Sequence, residues 1–263
     1  MFEGEFKGKV GLLFGCSRIS GKYIARTFMR EGMITVVASR SKEVVNIYEE
    51  LKEEFPDAEG YAVSVDFGKE NEVKAFIEGV VEKYGRIDVV SYHAAYLSPL
   101  GSMEDTTEEE LDKSIGANYK GPFFVVKYCA PIMKQQRSGS IVVTSSWYAR
   151  KGVPLFAPYC TTKAAESAIV QCAGLELAPY GVRVNSFAPG DIANEKHFNA
   201  VRDEAIIRGI SYEEMDKIVA DAIPMKKRLD PAKMGDIVLF LSSDAADHIT
   251  ATNLNVSGGS EFR

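Results

Sequence analysis

Residues 10–21 read VGLLFGCSRISG and decide the fold of this chain. The stretch opens with an apolar run, residues 10–14, typical of a strand that is buried on both faces of a parallel sheet. A turn with a glycine at each end, Gly15 and Gly21, leads into a helical pattern over residues 23–31. Glycines at such a turn let backbone amides approach a phosphate at the helix N-terminus. They also suit a tight turn with positive φ, so a phosphate loop and a purely structural turn both fit this stretch.

The same alternation of strand and helix patterns continues to the end of the chain. Further β-rich runs cover residues 34–38, 61–65, 87–92, 140–144, 182–187 and 254–256, and helical patterns cover residues 42–55, 72–84, 108–127, 160–178 and 233–241. Parallel neighbours need helical crossovers, so seven such strands predict an α/β fold. We expect a doubly wound parallel seven-stranded sheet of the Rossmann type, flanked by helices on both faces. Ligands then lie beyond the carboxyl ends of the strands, where the winding direction reverses.

Composition limits the kind of protein. The 263 residues show no repeat or linker and predict a single domain, and 31 Lys and Arg against 37 Asp and Glu give a net charge of −6. No basic cluster is long enough to follow a nucleic-acid backbone, and no apolar run reaches the ~20 residues that cross a bilayer. The acidic N-terminus does not resemble a signal peptide. The four cysteines lack CxxC spacing and predict free thiols. We expect a cytoplasmic protein with no metal, nucleic-acid or membrane partner.

One segment interrupts the alternation. Residues 191–223 contain no credible strand and are polar, charged and helical in pattern. An insertion of this length in a compact domain is usually a lid or a binding loop. We therefore expect a substrate lid at about residues 191–223, in which His197 is placed to contact a substrate. A solvated helical hairpin is the alternative.

The second predicted strand ends in Ser39 and Arg40. A carboxylate at this place often binds the free ribose 2′-hydroxyl of NAD(H). Here Arg40 and, from the glycine turn, Arg18 offer guanidinium groups, which form charge-assisted and often bidentate bonds to a 2′-phosphate. The sequence therefore predicts NADP(H) as the cofactor, unless both arginines only solvate the surface.

Tyr159 and Lys163 are four residues apart and so share one helix face. A free phenol has a pKa of about 10, and a nearby ammonium lowers it, which suits acid–base catalysis near neutral pH. Ser145 and Ser146 close the fifth predicted strand, at the sheet edge that carries the glycine turn. A hydroxyl there can donate to a carbonyl oxygen. YxxxK spacing alone is common by chance, but together with the serine and the turn it predicts an active site.

Over essentially its whole length the chain resembles the short-chain dehydrogenase/reductase family. The resemblance rests on FGCSRISG, VDF, the segment after Ile87, IGANYKG, the SS…Y…K series, APGDI and NVSGG. It implies that Tyr159 is the proton donor or acceptor and that Ser146 positions the carbonyl. Lys163 would hold the nicotinamide ribose and lower the pKa of Tyr159. Asn118 would anchor the water that relays protons to Lys163, which completes the catalytic set.

The resemblance also places the cofactor and the subunit contacts. Asp66 would contact the adenine, Ile192 would meet the nicotinamide carboxamide through its backbone, and Asn194 stands where the family often has threonine. The predicted cofactor-binding residues are Gly15, Ser17, Arg18, Ile19, Gly21, Ser39, Arg40, Asp66, Phe67, His93, Tyr159, Lys163, Ile192 and Asn194. The helices that carry Asn118 and Tyr159 would build a homodimer or homotetramer.

Two motifs depart from the family pattern. The family usually reads TGxxxGxG, and this chain has Phe14 for the threonine and Ile19 for the middle glycine. Ile19 adds a β-branched side chain where glycine allows the closest approach to the pyrophosphate. Tyr92 and His93 replace the asparagines of NNAG, so other groups must supply the lost bonds. For His93, a proton relay or substrate contact and a packed residue bonded to backbone are both open.

These features predict an NADP(H)-dependent oxidoreductase that interconverts a secondary alcohol and a ketone, with the cofactor carrying the hydride. A bulky apolar substrate such as a hydroxysteroid or bile acid would suit the aromatic and apolar residues near the serine, unless these pack against the lid or a subunit. These residues are Trp147, Tyr148, Val153, Leu155 and Phe156. The alternative is a 3-oxoacyl thioester reductase of fatty-acid synthesis, although the negative net charge does not favour an acidic carrier protein. A catalytically inactive cofactor-binding scaffold is the third hypothesis.

Overall fold

The chain forms one seven-stranded parallel sheet in this computed structural model, which describes residues 2–261. The strands are β1 (Val10–Phe14), β2 (Ile34–Ser39), β3 (Gly60–Ser64), β4 (Val89–Tyr92), β5 (Gly139–Thr144), β6 (Val182–Pro189) and β7 (Asn253–Val256). Their order across the sheet is β3-β2-β1-β4-β5-β6-β7. The chain thus builds outward from β1 to β3 in one direction and from β4 to β7 in the other. The doubly wound sheet predicted from the sequence is confirmed.

Helices cover both faces of the sheet. They are α1 (Gly21–Arg30), α2 (Val44–Glu54), α3 (Glu70–Tyr84), α4 (Glu108–Ile115), α5 (Gly121–Gln136), α6 (Ala157–Leu177), α7 (Glu195–Arg208), α8 (Tyr212–Ala222) and α9 (Met234–Ser242). Helices α3, α5 and α6 supply the core on one face, and α1, α2 and α9 supply the core on the other. Within residues 2–261 no helix has both the length and the apolar character needed to cross a bilayer.

Strand β1 explains why the deciding stretch is apolar throughout. Val10, Leu12 and Phe14 belong to the core formed with α3, α5 and α6, whereas Leu13 belongs to the core formed with α1, α2 and α9. All four side chains are buried. A strand with helices on both faces has no solvent side, so its sequence does not alternate between apolar and polar residues.

The helical stretch predicted over residues 108–127 is helical throughout, but a π-helical turn, Gly116–Lys120, lies within it between α4 and α5. Such turns add a residue to one turn of the helix and often occur at functional sites. Immediately after it, a Cβ on Gly121 would lie 2.0 Å from the hydroxyl oxygen of Tyr92. Glycine at this position therefore allows α5 to pass close to the end of β4.

The segment predicted to interrupt the alternation is helical. It consists of α7 and α8, joined by residues 209–211, and these two helices share a small core of Val201, Ala205 and Met215. Asn194 caps α7 by accepting a hydrogen bond from the backbone N–H of His197 at 2.9 Å. A capping box at Ser211 begins α8. The pair thus has its own local reasons to fold beside the sheet.

Candidate active site

A cavity of about 940 Å³ opens at the carboxyl ends of the central strands. It lies where β1 and β4 are neighbours, which is the point at which the winding direction reverses. The predicted site residues that line it are Gly15, Ser17, Ile19, Ser39, Arg40, Asp66, Phe67, His93, Ser146, Tyr159, Lys163, Ile192 and Asn194. Arg18, Gly21 and Asn118 are not among its lining residues. Most of the predicted site is thus brought together.

Both glycines of the glycine turn stand where a side chain would collide with nearby backbone of the chain. Gly15 has a φ of +102°, and a Cβ on it would lie 2.4 Å from the backbone nitrogen of Ala94. A Cβ on Gly21 would lie 2.2 Å from the carbonyl oxygen of Gly15. The turn therefore needs both glycines for its own closure, and Gly15 also lines the cavity. The structural and the phosphate-binding interpretations of this turn are compatible.

Two of the departures from the family pattern compensate each other. Phe14 and Tyr92 are register partners on β1 and β4, and their rings stack with centroids 6.1 Å apart. The Tyr92 hydroxyl donates to the carbonyl oxygen of Ala117 in the π-helical turn at 2.5 Å. Phe67 packs edge-on against both rings. An aromatic cluster with one hydrogen bond thus occupies the place where the family has polar side chains.

His93 joins three parts of the site. One ring nitrogen, Nε2, lies 2.6 Å from the Ser20 hydroxyl oxygen, and Nδ1 lies 2.9 Å from the Thr144 hydroxyl oxygen. Burial, helped by the positive charges of Lys163 and Lys196, lowers the pKa of His93 to about 3. The ring is therefore neutral near pH 7 and does not titrate there. It acts as a bridge between the glycine turn, β4 and β5, through hydroxyls rather than backbone.

The two predicted arginines have different surroundings. The Arg18 guanidinium donates to Glu43 at 2.6 Å and to both carboxylate oxygens of Glu50 at 2.7 and 2.8 Å. These carboxylates raise its pKa further above the ordinary value for arginine. Arg40 lies at the end of β2, exposed and on the cavity wall. A 2′-phosphate would thus meet Arg40 directly and would compete with two glutamates for Arg18.

Tyr159 and Lys163 lie on the first turns of α6, one turn apart, as the spacing predicts. Ser146, which follows β5, lies near Tyr159, and its side chain lowers the pKa of Tyr159. Lys163 Nζ lies 5.8 Å from the centroid of the Tyr159 ring. Lys163 is only 1% exposed, and its ammonium donates to the carbonyl oxygen of Thr144 at 2.8 Å. Phenol, hydroxyl and ammonium therefore lie near one another at the cavity wall.

Lys163 lowers the pKa of Tyr159, as predicted, and Ser146 acts in the same direction. Burial raises this pKa and outweighs both, so the pKa lies above its ordinary value. The carboxylate of Glu166 adds to the rise. The ammonium acts in the expected direction, but desolvation of the phenolate is the larger cause.

Glu166 is a site residue that the sequence interpretation missed. Its side chain is completely buried, and its two oxygens accept hydrogen bonds from Lys163 Nζ at 2.8 and 3.1 Å. Burial raises the pKa of this carboxyl, and the ammonium opposes the rise. The available signal was an acidic residue three positions after Lys163, in a helix segment otherwise made of small and apolar residues.

The side-chain amide of Asn118 makes hydrogen bonds to the backbone of Tyr96 and to the side chain of Thr162. Its amide group donates to the carbonyl oxygen of Tyr96 at 2.8 Å and to the Thr162 hydroxyl at 3.1 Å, and its side-chain oxygen accepts from the N–H of Tyr96 at 2.8 Å. The π-helical turn presents the side chain in this direction. The contacts fix the segment after β4 against α6, and a water at this place remains a prediction.

Aromatic side chains form the cavity wall beyond Ser146. The ring centroid of Tyr148 lies 4.9 Å from that of Trp147, 5.0 Å from that of Phe156 and 6.3 Å from that of Tyr159. Burial raises the pKa of the Tyr148 hydroxyl. This aromatic wall ends at Tyr159.

The α7 side of the cavity is charged, which the sequence interpretation did not anticipate. Lys196 Nζ lies 3.3 Å from the carbonyl oxygen of Ala95, and burial lowers the pKa of Lys196 to about 8. Burial also raises the pKa of Asp191 to about 6 and lowers that of His197 to about 4. Among residues 2–261, no cluster of three or more histidine, cysteine, aspartate or glutamate side chains could hold a metal ion.

A family model described as Enoyl-(Acyl carrier protein) reductase matches residues 19–261. Among curated proteins, the chain is 31% identical to a 3-oxoacyl-(acyl-carrier-protein) reductase of Staphylococcus epidermidis. That alignment extends over 253 residues and covers 95% of this chain and 98% of the relative.

Two solved structures share the whole architecture. A xylitol dehydrogenase bound to NAD⁺ matches with a TM-score of 0.92 and 27% identity, over 97% of this chain and 100% of that chain. An actinorhodin polyketide ketoreductase with NADPH matches with a TM-score of 0.90 and 27% identity, over 100% of both chains. The chain belongs to the short-chain dehydrogenase/reductase family, whose members are oxidoreductases that bind a nicotinamide cofactor and act on alcohol and ketone substrates.

Proposed function

We propose that the protein is an NADP(H)-dependent oxidoreductase that interconverts a secondary alcohol and a ketone. The observation that carries the proposal is that Ser146, Tyr159 and Lys163 all lie on the wall of the large cavity, with Lys163 Nζ 5.8 Å from the centroid of the Tyr159 ring. Packing alone gives no reason for a phenol, a hydroxyl and a buried ammonium to meet at a cavity wall. This argues against the inactive scaffold.

The cavity suits a dinucleotide in size and in the character of its walls. Gly15 lines the cavity, and a side chain at this position would collide with Ala94. Ser17 and Ile19 would lie along the pyrophosphate, Asp66 beside the adenine, and Ile192 and Asn194 near the carboxamide. Lys163 would hold the nicotinamide ribose after releasing one of its present acceptors. When bound, the nicotinamide supplies or accepts the hydride.

The protein side of the reaction follows from the two hydroxyls. Ser146 donates to the substrate oxygen as negative charge develops on it. Tyr159 gives its proton to the same oxygen during reduction and takes it back during oxidation. The aromatic wall and the helices α7 and α8 would exclude water around these atoms, so we propose that residues 191–223 act as a substrate lid.

The preference for NADP(H) rests on Arg40. It lies at the end of β2 on the cavity wall, and the neighbouring residues 39–41 contain no carboxylate that would favour a free 2′-hydroxyl. Arg18 would contribute less, because Glu43 and Glu50 already neutralise it. Solved structures of relatives contain either cofactor, so the arginine is the specific argument.

The substrate that best fits the cavity is a bulky ketone with an apolar body, the class that includes hydroxysteroids and bile acids. The rings of Trp147, Tyr148 and Phe156 offer a flat apolar surface beside Tyr159. Polar substituents on the other side of such a molecule would face the charged residues of α7. A 3-oxoacyl thioester is the second candidate, favoured by the curated relative with that activity.

We propose a homodimer or homotetramer in the cytoplasm as the working form. Helices α5 and α6 carry large apolar side chains on the surface, such as Phe123, which is 48% exposed, and Leu175, which is 70% exposed. A second copy of the chain would bury them. The four cysteines are unpaired, and three of them are buried, which suits a reducing compartment.

The proposed function is tested by titrating the protein with NADPH and NADH, followed by nicotinamide fluorescence, and then adding bulky ketones and 3-oxoacyl thioesters. We expect tighter binding of NADPH and its oxidation by a ketone. The Tyr159→Phe variant keeps the ring but lacks the proton, so kcat should fall by about 10²–10⁴-fold while NADPH still binds.

Different results would contradict separate parts of the proposal. Tighter binding of NADH would overturn the cofactor assignment. Full activity of Tyr159→Phe would overturn the catalytic role of the phenol. Binding of NADPH without its oxidation by any ketone or thioester would favour the inactive cofactor-binding scaffold, and absence of binding by either cofactor would overturn the proposed function. Oxidation of NADPH only by thioesters would favour the second substrate class.

A further inference from the structure

The buried ion pair behind the tyrosine is a feature that the proposed reaction does not by itself explain. Lys163 is 1% exposed and Glu166 is 0% exposed. The two side chains lie one turn apart on α6, and Lys163 Nζ contacts both carboxylate oxygens, at 2.8 and 3.1 Å. With the carbonyl oxygen of Thr144 at 2.8 Å, the ammonium has a partner for each of its three protons.

Packing alone does not account for an acid at this position. A buried ion pair recovers only part of the hydration energy that its two charges lose, and apolar residues of similar size often stabilise a fold equally well. The position of Lys163 beside Tyr159 explains why a lysine is buried here. Glu166 is not at the cavity wall, so its contact with Lys163 is the interaction that explains its presence.

We propose that Glu166 is a positioning residue for proton transfer, whose charge offsets that of Lys163 and keeps the Tyr159 hydroxyl protonated, so that the enzyme favours carbonyl reduction over alcohol oxidation. This inference rests on the proposed function. Reduction needs a proton on Tyr159, whereas oxidation needs the phenolate as the base. A lone ammonium behind the phenol would favour the phenolate, and a neutralised ammonium favours it less.

The charges around the phenol come from several elements. Besides Lys163 and Glu166, the titratable groups that face Tyr159 or this ion pair are Cys160 on α6, Tyr148 after β5, Tyr92 and His93 at the end of β4, and Lys196 on α7. Asp66, after β3, faces Tyr92. Burial keeps His93 and Tyr92 neutral near pH 7. The pair on α6 contains the charges that act most directly on Tyr159, since Lys163 lowers and Glu166 raises its pKa.

The test is the pH dependence of both reaction directions in wild type and in Glu166→Gln. The amide keeps the shape and one hydrogen-bond acceptor but removes the negative charge. We expect the loss of reduction at high pH, and the gain of oxidation, to move down by about one pH unit. Glu176→Gln, at an exposed position of the same helix, removes an equal charge and should leave both profiles in place. Unchanged profiles in Glu166→Gln, or an upward shift, would overturn the proposal.

A second measurement separates this proposal from the proposed function. In protein labelled with ¹³Cζ-tyrosine, the Tyr159 signal is identified among the 12 tyrosines by its absence in Tyr159→Phe. In Glu166→Gln this signal should begin to titrate about one pH unit lower than in wild type. Titration at the same or a higher pH would overturn the role of Glu166, and this holds even if no ketone is reduced.

Glu166→Gln could fold poorly, so its stability is measured and a replacement variant is used if it does not fold. Removing one partner of a buried ion pair destabilises a protein, so thermal unfolding is followed alongside. If the variant does not fold, Glu166→Asp replaces it, because aspartate keeps the charge but withdraws it from Lys163 by one methylene group. We then expect a smaller downward shift of the same profiles and of the Tyr159 titration. No shift in this folded variant would contradict the proposal.

Discussion

His93 shows how one side chain can replace several lost contacts. It occupies the place of an asparagine in the family pattern, and its two ring nitrogens reach Ser20 and Thr144. A neutral imidazole has one donor and one acceptor, which is what two hydroxyl partners require. A protonated ring would have two donors and a charge with no nearby carboxylate to receive it. The bridge therefore depends on the low pKa, about 3, that burial imposes.

This bridge predicts a pH-dependent stability difference between wild type and His93→Gln. The folded-state pKa lies below the ordinary value of 6.5, so the contribution of His93 to stability is present above pH 6.5 and is lost as the pH falls. Between pH 7 and pH 5, wild type should lose about 2 kcal/mol relative to His93→Gln, whose amide also offers a donor and an acceptor. Urea unfolding at several pH values measures the difference.

The control for this experiment is His248→Gln, because His248 is exposed and paired with Asp247. Its pKa is raised rather than lowered. The difference between His248→Gln and wild type should therefore not move in favour of the variant as the pH falls. A difference between His93→Gln and wild type that stays constant from pH 7 to pH 5 would show that His93 does not stay neutral.

At the scale of elements, strands and helix faces were predictable because burial imposes a pattern on the sequence. β1 reads as a continuous apolar run because helices cover it on both sides, and the YxxxK spacing places two side chains on one face of α6. The π-helical turn at Gly116–Lys120 leaves no such pattern. Its contacts, from Ala117 to the Tyr92 hydroxyl and from Asn118 to Tyr96 and Thr162, are visible only in three dimensions.

Charged residues of the site could be predicted from the sequence only where they belong to a recognisable motif. Lys196 and Glu166 stand in helical segments whose sequences also fit exposed positions. What makes them part of the site is the approach of α7 to Ala95 and the depth of α6 beneath β5. The same limit affects Arg18, since its two glutamate partners come from the segment after β2 and from α2.

Helix α7 predicts how the affinity for a dinucleotide depends on pH. Lys196 contacts the carbonyl oxygen of Ala95, and the preceding residue, Ala94, lies beside Gly15 in the predicted phosphate-binding turn. The ammonium is therefore close to the predicted phosphate site. Its pKa of about 8 means that the ammonium is present below pH 8 and is lost above it. NADPH should therefore bind more weakly above pH 8. Lys196→Met should weaken binding about tenfold at pH 7 and flatten the pH dependence.

The matched control is Lys217→Met on α8, where the side chain is 78% exposed and pairs with Asp221. This variant removes the same charge from the same helical pair and should bind NADPH like wild type. Fluorescence titration of NADPH across pH 6–9.5 serves both variants. Equal affinity of Lys196→Met and wild type at pH 7 would remove Lys196 from the phosphate site.

The whole molecule has two hydrophobic cores, one on each face of the sheet, and the candidate site lies at the edge of the sheet where its strands end. α3, α5 and α6 on one face and α1, α2 and α9 on the other hold the sheet, so the carboxyl ends of its central strands are fixed from both sides. The residues of the site come from many elements but rest on this one frame. α7 and α8 add a small core of their own beside this frame.

The outer faces of α5 and α6 predict the assembly. The ring centroids of Phe123 and Tyr119 lie 6.3 Å apart, and both rings are partly exposed. This surface therefore carries an exposed apolar patch, which is typical of a protein–protein contact. We expect a dimer or tetramer in light scattering, and partial or full dissociation of Phe123→Glu and Leu175→Glu, because each places a charge in a buried contact. Ile206→Glu, at a side chain on α7 that is 77% exposed, should keep the wild-type mass. A monomeric wild type, or unchanged assembly in both variants of α5 and α6, would show that these faces do not join subunits.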